Sequence, residues 1–226
     1  MDALIMAGGL AQRMGCGEKS CIKLNKKPLI SYIISALENA NGIGRIFVSV
    51  TQATPKTKFL VEKEYPEVRV IEAAEGNYVS DMIFSIKAAE ITGPVLVVMC
   101  DLPLVEADII ENVLAEYETC VEPALSVYIP IATCKKRGVR PDTVFHKNTK
   151  LIVPTGINIL NAADIENEQP DYNYIIDDPR LAMNVNTKKD LRKCRWIMSK
   201  TNQLKPRQRI KKILLNEKPK NDPFYK

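Results

Sequence analysis

The chain has 226 residues, of which 46% are hydrophobic and 26% are charged, and its formal net charge is +5. This length suits one large α/β domain, or one domain and a tail, and the composition is that of a soluble globular protein. No apolar run has the length of a membrane span, and no basic region precedes the first strand-like segment, so we expect a cytoplasmic protein without a signal peptide.

The positive charge is concentrated at the carboxyl end. From Ser199 onward there are nine basic and two acidic residues, whereas residues 1–198 have 23 basic and 25 acidic residues. We therefore expect a single domain over 1–198 and a basic extension over 199–226, and a body of this charge argues against nucleic acid as a partner. We expect the extension to be a solvated, partly helical segment. The alternative is contact with an acidic partner, a membrane surface or a neighbouring subunit.

The six cysteines form no CxxC pair, and five of them lie far from the single histidine, His146, in the sequence. In a protein of this class such cysteines are usually small buried residues or free thiols. We therefore expect neither disulfides nor a cysteine metal site at Cys16, Cys21, Cys100, Cys120, Cys134 and Cys194.

Strand-like and helix-like segments alternate along the first half of the chain. The predicted strands are 2–7, 45–51, 68–72 and 94–100, and the predicted helices are 29–40, 55–65 and 79–91. The strand 94–100 is apolar throughout, as expected for a strand covered on both faces. The alternation predicts an α/β fold, with a mainly parallel sheet between layers of helices.

The second half is less regular. We predict a helix at 106–117 and strands at 123–130, 139–145 and 151–160. A capped helix is predicted to begin near Thr187 and to run to about residue 198.

The loop after the first strand is the strongest chemical signal in the sequence. Gly8 and Gly9 allow the backbone to approach a phosphate closely, and exposed N–H groups there could bind anions. Arg13 offers a planar fork and Lys19 a point charge to phosphate oxygens. The loop is neither a Walker A sequence nor a GxGxxG motif, which disfavours P-loop and dinucleotide sites. The alternative is a turn that needs glycine for geometry alone.

Asp101 follows the apolar strand 94–100. Ligands of open α/β sheets bind beyond the carboxyl ends of strands, and Mg²⁺ needs only one or two protein carboxylates when phosphates supply other ligands. Asp101 is therefore a candidate magnesium ligand. The alternative is a turn residue, or a cap of the helix that begins near Glu106.

Three further segments are candidates for the same site. In 76–81, Asp81 could accept two N–H bonds from a guanine edge, or Ser80 or Asp81 could instead cap the next helix. Gly156 interrupts a predicted strand, where glycine marks a bulge or a close ligand. Asn184 and Asn186 could orient a metal or the acceptor, although Asn186 could merely cap the helix after Thr187.

Taken together, these segments, with the pattern A-G-G-x-x-x-R-M-G-x-x-x-K over residues 7–19, resemble the MobA-like NTP transferases. Within that family the chain is most similar to the archaeal adenosylcobinamide-phosphate guanylyltransferases, in 6–15, 18–19, 22–24, 54–58, 76–81, 153–159 and 184–191. The likeness covers about residues 1–198. The sequence departs from related loops at Ala11, where a second glycine is frequent, and at Gln12, where Thr or Ser is frequent.

The resemblance implies a Rossmann-like three-layer αβα fold that transfers GMP from GTP to adenosylcobinamide phosphate, with Mg²⁺ as cofactor. It implies that the triphosphate is held by Ala7, Gly8, Gly9, Arg13 and Lys19. Asp81 would lie near the guanosine, Asp101 would hold the magnesium, and Gly156 with Asn184 or Asn186 would close the site.

Three other functions stay open at this point. Two are enzymatic, namely guanylyl transfer to molybdopterin and nucleotidyl transfer to a sugar 1-phosphate. The third is a regulatory GTP-binding protein without catalytic activity, against which the presence of Arg13, Lys19 and Asp101 counts. A homodimer is compatible with the sequence, which does not fix the oligomeric state.

Overall fold

The computed structural model of the chain describes residues 1–15, 17–74, 77–147 and 149–202. Cys16, Gly76 and most of the predicted basic extension (203–226) lie outside the described residues. Within these ranges the strands are β1 Asp2–Met6, β2 Lys23–Leu24, β3 Lys27–Pro28, β4 Ile46–Thr51, β5 Arg69–Ala73, β6 Pro94–Met99, β7 Ala124–Pro130, β8 Phe145–Lys147, β9 Lys150–Asn161 and β10 Asp171–Ile175. The helices are α1 Leu29–Glu38, α2 Pro55–Glu64, α3 Tyr78–Ala88, α4 Ala107–Thr119, α5 Ile131–Lys136 and α6 Lys188–Asn202.

Eight strands form one sheet in the order β10-β7-β9-β6-β1-β4-β5, with β8 paired along β9. The neighbours β6-β1-β4-β5 are parallel, and so are β10 and β7, whereas β9 runs antiparallel to β6, β7 and β8. The mainly parallel sheet is therefore confirmed, with β9 as the exception. Because β1 and β6 are parallel neighbours, their carboxyl ends meet at one edge of the sheet.

Alternate residues of β1 enter two different hydrophobic clusters. Ala3 and Ile5 pack with buried residues of α1, α2, α4 and α5, whereas Leu4 and Met6 pack with buried residues of α3. Side chains of a strand alternate between the faces of a sheet, so the two clusters lie on opposite faces. The predicted three-layer αβα sandwich is thereby confirmed. A third cluster joins the glycine loop to α6.

The predicted strand 139–145 is wrong. Residues 139–144 lie outside any strand, and β8 begins only at Phe145. Gly138, with a φ of +61°, follows the short helix α5, and Pro141 has no N–H to donate to a ladder. Other differences are the unpredicted α5 and β10, and α6, which extends to Asn202. Within the described ranges, no helix is sufficiently long and apolar to cross a membrane.

Candidate active site

The glycine loop begins at the carboxyl end of β1 and lies against β4. A Cβ atom on Gly8 would lie 2.6 Å from Cγ2 of Thr51, whereas one on Gly9 would meet nothing within 4 Å. Gly8 is thus required by the close approach of two strands. No such contact requires glycine at position 9. The contact of Gly9 with a phosphate stays a prediction.

The loop folds back so that Lys19 returns to the end of β1. The N–H of Ala11 donates to the carbonyl of Gly17 at 2.7 Å, and the N–H of Lys19 donates to the carbonyl of Gly9 at 3.2 Å. The fully buried Ala7 continues the strand pairing by donating to Ser49 at 2.8 Å. These backbone hydrogen bonds hold the start of the loop, at Gly9, next to its end, at Lys19.

Lys19, Asp101 and Asn186 meet at the carboxyl ends of β1 and β6. The ammonium of Lys19 donates to Oδ2 of Asp101 and, at 2.5 Å, to Oδ1 of Asn186. The side chains of Lys19 and Asp101 are only 15% and 5% exposed, so the ion pair is largely removed from water. The alternative in which Asp101 caps the next helix is wrong, because α4 begins after Glu106.

Asn186 is free to face Lys19 because its neighbours cap α6. The hydroxyl of Thr187 accepts the N–H of Asp190, and the Asp190 carboxylate accepts the N–H groups of Asn186 at 3.2 Å and Thr187 at 2.7 Å. The alternative in which Asn186 caps the helix is therefore wrong. The N–H of Val185 donates to the carbonyl of Asp101 at 2.9 Å, which fixes this segment over the ion pair. Asn184 is exposed and lines the adjacent cleft.

A buried arginine anchors the chain just before these asparagines. Arg180 is 4% exposed, and its guanidinium donates to Asp178, to Glu106 at 3.0 Å and, through two bonds of 2.8 and 2.7 Å, to Asp108. Burial lowers the pKa of Arg180, but the hydrogen bonds that it donates to Asp178 and Asp108 outweigh this effect and raise that pKa above its ordinary value. The segment that carries Asn186 is thereby tied to the start of α4.

Arg13, in the short 3-10 turn of the glycine loop, pairs with Asp142. Its guanidinium makes two parallel bonds, of 3.0 and 2.9 Å, to the carboxylate of Asp142, and both side chains are more than half exposed. The hydrogen bond from Arg13 lowers the pKa of Asp142. The two residues border a cleft of about 310 Å³ that also has Asn184 and Asn186 in its lining. The phosphate contact of Arg13 stays a prediction.

Asp81 and Gly156 lie at the same edge of the sheet but outside the Lys19 cluster. Asp81 is in the first turn of α3, which Asn77 caps by a reciprocal arrangement with Ser80, so neither Ser80 nor Asp81 is the cap residue. Gly156 has a φ of +81°, and a Cβ atom there would lie 2.7 Å from Cγ of Met99. The strand register shifts beside it, so the predicted bulge is confirmed.

The cluster of Lys19, Asp101 and Asn186 offers oxygen ligands for a metal ion. Among the described residues no group of three or more His, Cys, Asp or Glu could hold a metal ion, and five cysteines are free thiols. Asp101 and Asn186, however, already direct two oxygen atoms at one cation, the ammonium of Lys19. Carboxylate and carbonyl oxygens are the ligands that Mg²⁺ prefers, and two suffice when substrate phosphates complete the shell.

Sequence analysis assigned no role to Thr51, Asp142 and Arg180, and it named Glu18 only as part of the matching segment 18–19. Each of these residues makes its decisive contact with a partner that the fold brings close. Asp190, by contrast, lies at capping-box spacing from Thr187, and the predicted capped start of this helix is confirmed.

Comparison with known proteins decides the family. Residues 3–147 match the model of the MobA-like NTP transferase domain. The chain belongs to the MobA-like NTP transferase family. The matched region contains the glycine loop, Lys19 and Asp101, whereas Gly156, Asn184 and Asn186 lie beyond it.

Individual relatives are similar over most of the chain. An adenosylcobinamide-phosphate guanylyltransferase of Methanocaldococcus jannaschii is 34% identical, over 88% of this chain and 98% of the relative. A molybdenum cofactor guanylyltransferase of Polynucleobacter asymbioticus is 28% identical, over 85% and 94%. The fold is also that of CMP:2-keto-3-deoxy-manno-octonic acid synthetase solved with CTP, with a TM-score of 0.67 at 13% identity over 88% of this chain and 98% of that one.

Proposed function

We propose that the protein transfers GMP from GTP to adenosylcobinamide phosphate, giving adenosylcobinamide-GDP and pyrophosphate. The observation that carries the proposal is the convergence of Lys19, Asp101 and Asn186 beside the glycine loop, in a chain whose 34% identical relative has this activity in its name. The ammonium of Lys19, held by Asp101 and Asn186 beside the glycine loop, is a suitable contact for the negative charge of a triphosphate.

The chemistry requires positioning and charge neutralisation rather than a general base. A phosphate monoester has its second pKa at about 6, so the acceptor oxygen is mostly ionised near neutral pH. That oxygen attacks the α-phosphorus of GTP in line, a new P–O–P bond forms, and the bond to the leaving pyrophosphate breaks. Lys19 stabilises the negative charge that builds on the phosphoryl group and on the leaving pyrophosphate.

Asp101 and Asn186 are the residues that would hold Mg²⁺. When bound, the ion supplies positive charge next to the phosphate oxygens. Arg13 would exchange Asp142 for a phosphate, because the exposed salt bridge between them contributes at most about 1 kcal/mol and so is readily replaced. The acceptor would enter by the cleft that Asn184 lines.

A panel of acceptors tests the proposal. The purified protein is incubated with GTP and with adenosylcobinamide phosphate, molybdopterin or a sugar 1-phosphate, and pyrophosphate release is followed. We expect kcat/KM to be highest with adenosylcobinamide phosphate. A preference for molybdopterin, the acceptor class suggested by the Polynucleobacter relative, would replace the proposed acceptor. GTP binding without pyrophosphate release from any acceptor would favour a regulatory protein.

Lys19→Ala tests the site itself. We expect turnover to fall by at least about 100-fold, because one preorganised charge contact to a transition state is worth that much. Lys27→Ala is the matched control, since Lys27 is exposed in β3 and lies outside the cluster. Wild-type turnover in folded Lys19→Ala protein would contradict the assignment.

A further inference from the structure

Glu18, directly before Lys19, is a buried carboxylate that the proposed mechanism does not use. The residue is 7% exposed, and its carboxylate accepts the N–H of Lys56 at 3.0 Å, the N–H of Thr57 at 2.5 Å and the hydroxyl of Thr57 at 2.8 Å. Burying a carboxylate is costly unless such bonds satisfy it. Glu18 is therefore held firmly to the first turn of α2.

α2 needs this acceptor because its own start supplies none. Its first residue, Pro55, has no N–H, and Thr54, the cap residue, makes no side-chain cap bond because its hydroxyl bonds the backbone of Thr51. The first N–H groups of a helix lack partners within the helix and carry partial positive charge. Glu18 accepts hydrogen bonds from these N–H groups although it is distant in the sequence, and α2 thereby anchors the glycine loop.

The other neighbour of Lys19 is anchored as well. Ser20 is fully buried, and its hydroxyl lies 3.4 Å from the carbonyl of Ala7 and 3.2 Å from the sulfur of Cys100, at the ends of β1 and β6. The backbone of Lys19 is thus held on both sides, by α2 through Glu18 and by the sheet through Ser20.

We propose that Glu18 is a positioning residue of the nucleotide site, which fixes the backbone of Lys19 where its ammonium reaches Asp101 and Asn186. Segment 54–58 is one of the stretches in which the chain resembles the adenosylcobinamide-phosphate guanylyltransferases. On this proposal, it positions the glycine loop and does not bind the acceptor. In agreement, Thr54 and Thr57 of this segment are fully buried. The inference rests on the proposed function only in taking Lys19 as a nucleotide-binding group.

A double-mutant cycle on GTP affinity separates positioning from a general structural role. The Kd for GTP is measured by calorimetry, without acceptor, for Glu18→Gln, Lys19→Ala and the double variant. Glu111→Gln is the matched control, because that carboxylate also accepts hydrogen bonds, from Asn41, but lies on α4 outside the site. Circular dichroism verifies that each variant is folded.

We expect Glu18→Gln to weaken GTP binding about tenfold when Lys19 is present and less than about twofold when it is alanine, since contacts in one network are not additive. An equal loss in both backgrounds, or no loss in the folded variant, overturns the proposal. Absence of GMP transfer in the wild type would refute the proposed function but leave this cycle intact.

Thr57 provides the second pair of variants if Glu18→Gln does not fold. Thr57→Val removes the hydroxyl that donates to Glu18 and keeps the backbone N–H, whereas Thr57→Ser keeps both donors. We expect Thr57→Val to weaken GTP binding several-fold and Thr57→Ser to restore it. Equal affinities for the valine and serine variants would contradict the positioning role.

Discussion

Gly8→Ala should destabilise the fold through a single contact. The new Cβ would lie 2.6 Å from Cγ2 of Thr51, about 0.8 Å inside the 3.4 Å limit of ordinary contact. Thr51 cannot easily yield, because it is buried in the sheet and its hydroxyl lies 3.4 Å from the Gly8 carbonyl. Overpacking of this kind costs about 1–3 kcal/mol, which lowers Tm by roughly 2–12 °C in a domain of this size.

Calorimetric or fluorescence melting tests this magnitude. Thr51→Ser removes the offending methyl, so adding Gly8→Ala to that variant should cost much less than adding it to the wild type. Gly9→Ala is the control, because its Cβ meets nothing within 4 Å and its φ is not positive. A stable Gly8→Ala protein, or the same loss in both backgrounds, would refute the close-approach explanation.

Other parts of the site give three more predictions. Arg180→Met should lower the free energy of unfolding in urea by about 3–5 kcal/mol, because it leaves carboxylates without their buried counter-charge; a loss below about 1 kcal/mol would be contrary evidence. The pKa of Asp142, read by NMR, should lie below 3.8 and return to that value in Arg13→Ala. The contribution of this pair to stability is therefore complete above pH 4 or so and lost as pH falls through the lowered pKa; it is at most about 1 kcal/mol. Asp81→Ala should reduce the kcat/KM preference for GTP over ATP by at least about tenfold, and an unchanged ratio would remove Asp81 from the base site.

Local patterns were sufficient for the elements that bury one continuous apolar face. The run 94–100 contains β6, in which residues 95–98 are buried on both faces, and it places Asp101 at the edge where ligands of such sheets bind. Lys19 lies at the same edge because the glycine loop that connects it to β1 is short. The sequence could therefore predict both partners of the central ion pair.

Sequence patterns failed where the decisive contact joins distant segments. Asn184 and Asn186 are equivalent as sequence candidates, and only the capping of α6 by Thr187 and the bond from Lys19 distinguish them. The pairing of Glu18 with Thr57 crosses 39 residues, and that of Arg13 with Asp142 crosses 129. A strand was predicted over 139–145, but residues 139–143 instead line the cleft.

The most direct test of the central claim follows both ends of GTP in one reaction. The protein is incubated with adenosylcobinamide phosphate and GTP that carries different labels on its α- and γ-phosphates. The account predicts that the α label appears in the acceptor and that an equimolar amount of the γ label appears in pyrophosphate. Release of the γ label as inorganic phosphate, with the α label left in GDP, would contradict it.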